Sequence, residues 1–222
     1  MSIAAIIPAA GSGQRLGGGT PKAFRQLGGT TMLRRGSDAV SAAADIIVVA
    51  VPAGWCDAAA AALAGAAYPV VVVLGGATRQ ASVAAALAVL PADVDLVLVH
   101  DAARPLMPAA VVAAVVAALR AGAAAVVPAL AVTDTLKRLD PTGRVTGTVD
   151  RAGLAAIQTP QGFRRDVLDR AHRGASSVAT DDAALVEALG VPVATVPGDP
   201  AGLKITTPYD VLVAEALLGL RT

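Results

Sequence analysis

The sequence predicts an α/β fold around a largely parallel sheet. Three patterns point there: short apolar runs, alanine-rich stretches of helical length between them, and glycine turns where a run gives way to a helix. The first strand is Ile3 to Ile7, followed by a glycine-rich loop from Pro8 to Lys22. A helix near Thr31 to Ala43 leads to a strand at Ile46 to Val51, and a helix near Cys56 to Leu63 leads to a strand at Val70 to Leu74. Gly75-Gly76 then turns the chain into a helix near Gln80 to Leu90. The next strand, Leu96 to Val99, runs into His100-Asp101, and a helix over Pro108 to Ala121 precedes a strand at Ala124 to Val127. Val193 to Val196 supplies a further strand. Runs that are apolar at nearly every position suit strands covered on both faces. On such sheets ligands sit beyond the carboxyl ends of the strands, so the loops after Ile7, Leu74 and Val99 can converge on one crevice.

The segment from Val132 to Ile157 breaks this rhythm. Threonines and charges surround the turn signal Asp140-Pro141-Thr142-Gly143, and the flanks have strand character, which predicts a projecting β-hairpin arm. Such an arm is marginal alone in water, so a second subunit is its expected support. No internal repeat or linker divides the chain. Residues 1–222 are expected to form one domain, with a dimerisation arm at about 132–157.

Composition narrows the function classes. A formal net charge of +1 exerts no global pull toward nucleic acid or anionic membrane, so any basic site is local. Hydrophobic residues make up 55% of the chain but aromatics only 2%, which leaves packing to Ala, Val and Leu. The longest apolar helix, Ala109 to Leu119, is bounded by Pro108 and Arg120 and falls short of the roughly 20 residues that a bilayer requires. No basic segment precedes the first strand, as a secretory signal would need. Cys56 is the only cysteine, so an internal disulfide and a cysteine-based zinc site are excluded, and a cytoplasmic protein is expected.

The loop from Pro8 to Lys22 carries the strongest chemical signal. Its glycines let the backbone turn its N–H groups toward anionic oxygens, and Arg15 and Lys22 add full charges. It fits neither common nucleotide fingerprint. Gly11 and Gly13 match the dinucleotide pattern, but Leu16 stands where its third glycine belongs, and Lys22 lies between Pro21 and Ala23 rather than in a Gly-Lys-Ser/Thr sequence.

Two further turns face the same crevice. Asp101, at the end of an apolar strand, is a strong site candidate that can hold Mg²⁺ or hydrogen-bond a hydroxyl; the alternative is that it caps the helix near Pro108 or pairs with Arg104. His100 has no second histidine near it and reads as a strand-end structural residue. The Gly75-Gly76 turn allows close approach of a planar base with Ser82 at its edge, although capping by Thr78 explains much of the same pattern. Thr180-Asp181-Asp182 suits a ligand or a helix N-cap alike. No Ser/His/Asp triad or cysteine nucleophile can be assembled, which disfavours covalent catalysis.

Taken together, Pro8 to Lys22, Gly75-Gly76 with Arg79 and Ser82, Val99 to Pro105, Asp134 to Lys137, Thr159-Pro160-Gln161, Thr180-Asp181-Asp182 and Lys204-Ile205-Thr206 resemble the 2-C-methyl-D-erythritol 4-phosphate cytidylyltransferase family. The resemblance implies a Rossmann-like nucleotidyltransferase sheet and a homodimer with exchanged arms. It also implies CTP and 2-C-methyl-D-erythritol 4-phosphate as substrates, with Mg²⁺ bridging the triphosphate. By this resemblance Arg15, Lys22 and Lys204 are the catalytic cations, while Ala9, Ala10, Gly11, Gly13, Gly76 and Ser82 frame the nucleotide. Asp101 orients the polyol and is the candidate metal contact, Thr135, Arg151, Thr159 and Thr180 line the polyol phosphate pocket, and Arg104 supports the pocket or the interface. Ala77 and Gly202 depart from the acidic residue and the asparagine frequent there in the family, and neither departure removes a cation. A ribitol 5-phosphate cytidylyltransferase and a non-catalytic CTP-binding regulatory module are the alternative readings.

Overall fold

The structure, a computed structural model, describes residues 1–11, 19–175 and 177–220. Its first half follows the expected alternation: β1 (Ser2–Pro8), a short hairpin of β2 (Gln26–Leu27) and β3 (Thr30–Thr31), α1 (Met32–Ser41), β4 (Ile46–Val51), α2 (Cys56–Leu63), β5 (Val70–Leu74), α3 (Arg79–Leu87) and β6 (Val94–Val99). Then come α4 (Ala109–Arg120), β7 (Ala125–Ala131), β8 (Leu136–Leu139), β9 (Val145–Val149), β10 (Ala155–Ile157) and β11 (Gln161–Arg164). The chain closes with α5 (Arg165–Arg173), α6 (Asp182–Glu187), β12 (Val193–Pro197) and α7 (Pro208–Gly219).

The main sheet runs β10-β7-β11-β6-β1-β4-β5, with β12 alongside β7. Within it, β1 pairs in parallel with β4 and β6, β4 with β5, and β12 with β7; only β10 and β11 run against their neighbours. Alternation along β1 divides the core between the two faces of the sheet. Ile3, Ala5 and Ile7 pack with Leu33, Leu63 and Val115 on one face. Ala4 and Ile6 pack with Val83, Leu168 and Val186 on the other. The helices cover both faces, and both surfaces of the central strands are therefore dry. Phe163 on β11 is fully buried, and Gly162 beside it leaves room for α4, because a Cβ there would meet the Val115 and Leu119 side chains.

Within residues 132–157 the structure separates two things. Strands β8 and β9 form an independent two-stranded hairpin, while β10 returns to the main sheet and pairs with β7. Asp140 Oδ1 closes the hairpin turn by accepting from the N–H groups of Thr142 and Arg144, and Gly143 takes the left-handed φ of +84° that this turn needs. Leu139 and Val145 on the hairpin are 57% and 62% exposed. Among the described residues, no helix is long and apolar enough to cross a membrane.

Candidate active site

Three strand ends build the site. Backbone bonds from Ala9 N–H to Ala50, from Gly75 N–H to Val51 and from His100 N–H to Ile6 carry β1, β5 and β6 to a common edge before each chain turns away. Beyond that edge lies a cleft of about 440 Å³. Of the predicted site residues, Ala9, Ala10, Gly11, Lys22, Gly76, Ser82, Asp101 and Lys204 line it.

Asp101 is the centre of charge. Its Oδ2 lies 2.7 Å from Lys204 Nζ and its Oδ1 lies 3.1 Å from Arg79 Nε. Burial pushes this carboxyl up, but Arg79 and Lys204 pull it further down, so it is held well below the usual carboxylate range. Asp101 neither caps α4, which starts after Pro108 without a side-chain cap, nor pairs with Arg104. Arg79 also reaches Asp182 Oδ2 at 2.6 Å. Burial lowers the Arg79 affinity for its proton, yet the two carboxylates outweigh it and raise the guanidinium further.

Residues 158–161 position these groups. The Thr159 hydroxyl accepts from Asp101 N–H at 3.0 Å and lies 3.0 Å from His100 Nδ1. His100 Nε2 faces the Arg104 carbonyl at 3.2 Å, which can only accept, so the hydrogen sits on Nε2 and Nδ1 accepts from Thr159. Burial pushes the His100 imidazole down to about 4, against the pull of Asp101, and keeps the ring neutral near pH 7. Gln158 clamps the C-terminal loop through Asp199, while Gln161 donates to Asp181, the N-cap of α6. Arg104 ties the Gly202 carbonyl to the Ile157 carbonyl, and Ile205 N–H bonds to the Ala103 carbonyl. These bonds hold Lys204 against Asp101.

Ser82 turns out to organise the glycine turn itself. Its hydroxyl accepts from Gly76 N–H at 3.1 Å and donates to the Thr78 carbonyl at 2.9 Å, while Thr78 caps α3 through Ala81 N–H. Thr159 is likewise buried and internally engaged. Thr135, Arg151 and Thr180 are exposed and do not line this cleft in the single chain. Gly13 and Arg15 lie outside the described residues. Arg79 and Gln158 had no assigned role from sequence, and Asp182 stood only within a run that suits a ligand or a helix N-cap. A readable sign existed for Arg79: as the first residue of α3 it puts a cation at the positive end of a helix, where only an external carboxylate makes it favourable.

Mg²⁺ takes oxygen ligands and, at nucleotide sites, draws most of them from phosphate and water. Asp101 is the only acid among the described residues lining the cleft, and no three metal-binding side chains cluster among the described residues. The site therefore fits an ion carried in on a triphosphate rather than a preformed cage. Asp101 can meet such an ion only by sharing an oxygen already held by Arg79 or Lys204.

A cationic cleft at the carboxyl edge of a mostly parallel sheet, with glycine turns on its walls and its hydroxyls tied to backbone, defines a nucleotidyltransferase-type site. The family model described as 2-C-methyl-D-erythritol 4-phosphate cytidylyltransferase matches residues 3–220. The chain belongs to that family. It is 54% identical to the 2-C-methyl-D-erythritol 4-phosphate cytidylyltransferase of Nocardia farcinica, covering 99% of this chain and 95% of the relative. The crystal structure of the Thermus thermophilus enzyme of the same name superposes with a TM-score of 0.81 at 41% identity, covering 98% of each chain. The 4-diphosphocytidyl-2C-methyl-D-erythritol synthase of Anaerococcus prevotii superposes with a TM-score of 0.85 at 31% identity, again over 98% of each chain.

Proposed function

We infer that this chain transfers the cytidylyl group of CTP to 2-C-methyl-D-erythritol 4-phosphate, giving 4-diphosphocytidyl-2-C-methyl-D-erythritol and pyrophosphate for non-mevalonate isoprenoid precursor synthesis. The observation that carries this reading, beside family membership, is the Asp101 carboxylate held between Arg79 and Lys204 in a cleft that Lys22 also lines. A phosphate oxygen of the polyol attacks the α-phosphorus of CTP. The bond from that phosphorus to the bridging oxygen breaks, and its electron pair leaves with pyrophosphate. Negative charge builds on oxygens in this step, and fixed cations stabilise it without a protein nucleophile. Lys22 and Lys204 supply that charge within the cleft, and Arg15, outside the described residues, is assigned the same task by the family resemblance. Gly76 and the Ala9-Ala10-Gly11 segment frame the nucleotide. Asp101 would be the residue to meet a Mg²⁺ ion carried in on the triphosphate, and such an ion would supply neutralisation of part of the phosphate charge.

The enzyme works as a cytoplasmic homodimer. The exposed apolar residues Leu139 and Val145 of the hairpin support this reading, and so does the exposure of Thr135 and Arg151, which complete the polyol phosphate pocket from the partner's arm. A substrate panel tests the activity. With CTP and Mg²⁺, pyrophosphate release is expected to be far faster with methylerythritol phosphate than with ribitol 5-phosphate. The reverse preference assigns the polyol wrongly, and CTP binding without turnover makes the chain a binding module.

A further inference from the structure

Behind the cleft, a line of buried polar contacts runs from α5 to Asp101. His172, in the last turn of α5, meets Asp182 Oδ1 through Nε2 at 2.9 Å, and the two side chains are 6% and 1% exposed. An ionised carboxylate only accepts, so Nε2 carries the hydrogen. The other oxygen of Asp182 accepts from Arg79 Nη1, and Arg79 Nε donates to Asp101 Oδ1. Arg79 is thus gripped from two directions. The ring's other nitrogen, Nδ1, is buried without a hydrogen-bond partner among the described residues, so the contact with Asp182 is the polar task this histidine performs.

We propose that His172 is a positioning residue for cytidylyl transfer: by holding Asp182 it fixes the arginine that orients the Asp101 carboxylate in the cleft. The proposal rests on the activity inferred above. Its physical basis is competition for Arg79. With His172 present, each oxygen of Asp182 has its own donor, and Arg79 needs to give Asp182 only Nη1. Without it, Oδ1 is left buried and unpaired, which is costly. Arg79 Nη2, buried without a hydrogen-bond partner among the described residues, is a spare donor on the same guanidinium, and the group swings toward Asp182 to serve both its oxygens through Nη1 and Nη2. That swing draws Arg79 Nε away from Asp101 Oδ1 and leaves Lys204 as the main hold on Asp101. The Asp101–Lys204 pair, assigned above to the polyol and the reacting phosphates, is displaced, while the Gly75-Gly76 turn keeps its own hydrogen bond to Ser82.

Steady-state kinetics on the full chain test this. In His172→Leu, kcat/KM for methylerythritol phosphate is expected to fall about tenfold, with KM for CTP within about twofold of wild type, since small misplacements of a reacting group carry costs of this order. The amide of Gln reaches the place of Nε2, so His172→Gln should recover to within about threefold of wild type. His172→Asn, too short to reach Asp182, replaces the leucine variant should that one not fold. Melting temperatures show whether activity merely follows folding. A donor-less variant within about twofold of wild type overturns the proposal, as does equal impairment of the Gln and donor-less variants, or an equal rise in KM for both substrates. If the wild-type chain itself has no turnover in the same assay, the inferred activity falls and the positioning role falls with it. An active wild type with an unaffected leucine variant removes only the positioning role.

Discussion

His100 shows how burial sets a single residue's chemistry. Its imidazole is fully buried, and burial takes it from the ordinary value of 6.5 to about 4 in the folded chain. Above the unfolded value both states are neutral, so the stability that depends on a neutral ring is fully present. As pH falls from 6.5 toward 4 the unfolded chain takes up a proton that the folded chain refuses, and stability declines. The total loss is about 3 kcal/mol. Urea unfolding at pH 7 and pH 4.5 measures it, and His100→Gln should flatten this part of the profile; parallel profiles for the two proteins would exclude His100 as its source. The sequence presented His100 as a strand-end structural residue, and the structure agrees. It could not present Thr159 as the hydroxyl that links this ring to Asp101 N–H, since the two are 58 residues apart. The direction of a hydroxyl depends on what is packed against it.

At the scale of elements, the Gly75-Gly76 turn was legible because a strand, two glycines and a helix are adjacent in sequence. Its tightness was not. A Cβ on Gly75 would stand 2.7 Å from the Ala10 Cβ and 2.9 Å from Ser82 Oγ, and one on Gly76 would collide with the Ala81 Cβ. The turn thus packs against the first strand's loop and against its own helix. Gly76→Ala is expected to push the turn outward, cost about 1–3 kcal/mol of stability, and weaken CTP more than the polyol phosphate. Calorimetric titration with each substrate, beside a thermal melt, reads this directly; an unchanged CTP affinity with an unchanged melt would show that the turn has room to spare. Strand β11 shows the opposite limit. Gln161–Arg164 has no apolar run, and it is a strand because β6 and β7 flank it. The α5 stripe of Val167, Leu168 and Ala171 has helical spacing, but it is short and set among charges, so it marks a helix only once the sheet is there to receive it.

For the whole molecule, the hairpin is the element that a single chain leaves unfinished. With Leu139 and Val145 exposed on two strands, the proposed dimer buries what the monomer cannot. Sedimentation of the wild type should give a dimer at micromolar concentration, and Leu139→Asp with Val145→Asp should give a folded monomer whose affinity for the polyol phosphate drops more than that for CTP. A fully active wild-type monomer would rule out a shared site. The sequence by itself determined the α/β class, the strands covered on both faces, the glycine turns and the cations of the first loop, because these follow from backbone preferences and periodicity over a few neighbouring residues. Tertiary structure alone decided that Arg79 bridges Asp101 and Asp182, the latter 103 residues away, that Lys204 closes on the other oxygen of Asp101, and that the serine and threonine expected at a ligand are spent on the protein's own backbone and His100. Strand order brings those residues together, and no local pattern in the chain specifies strand order.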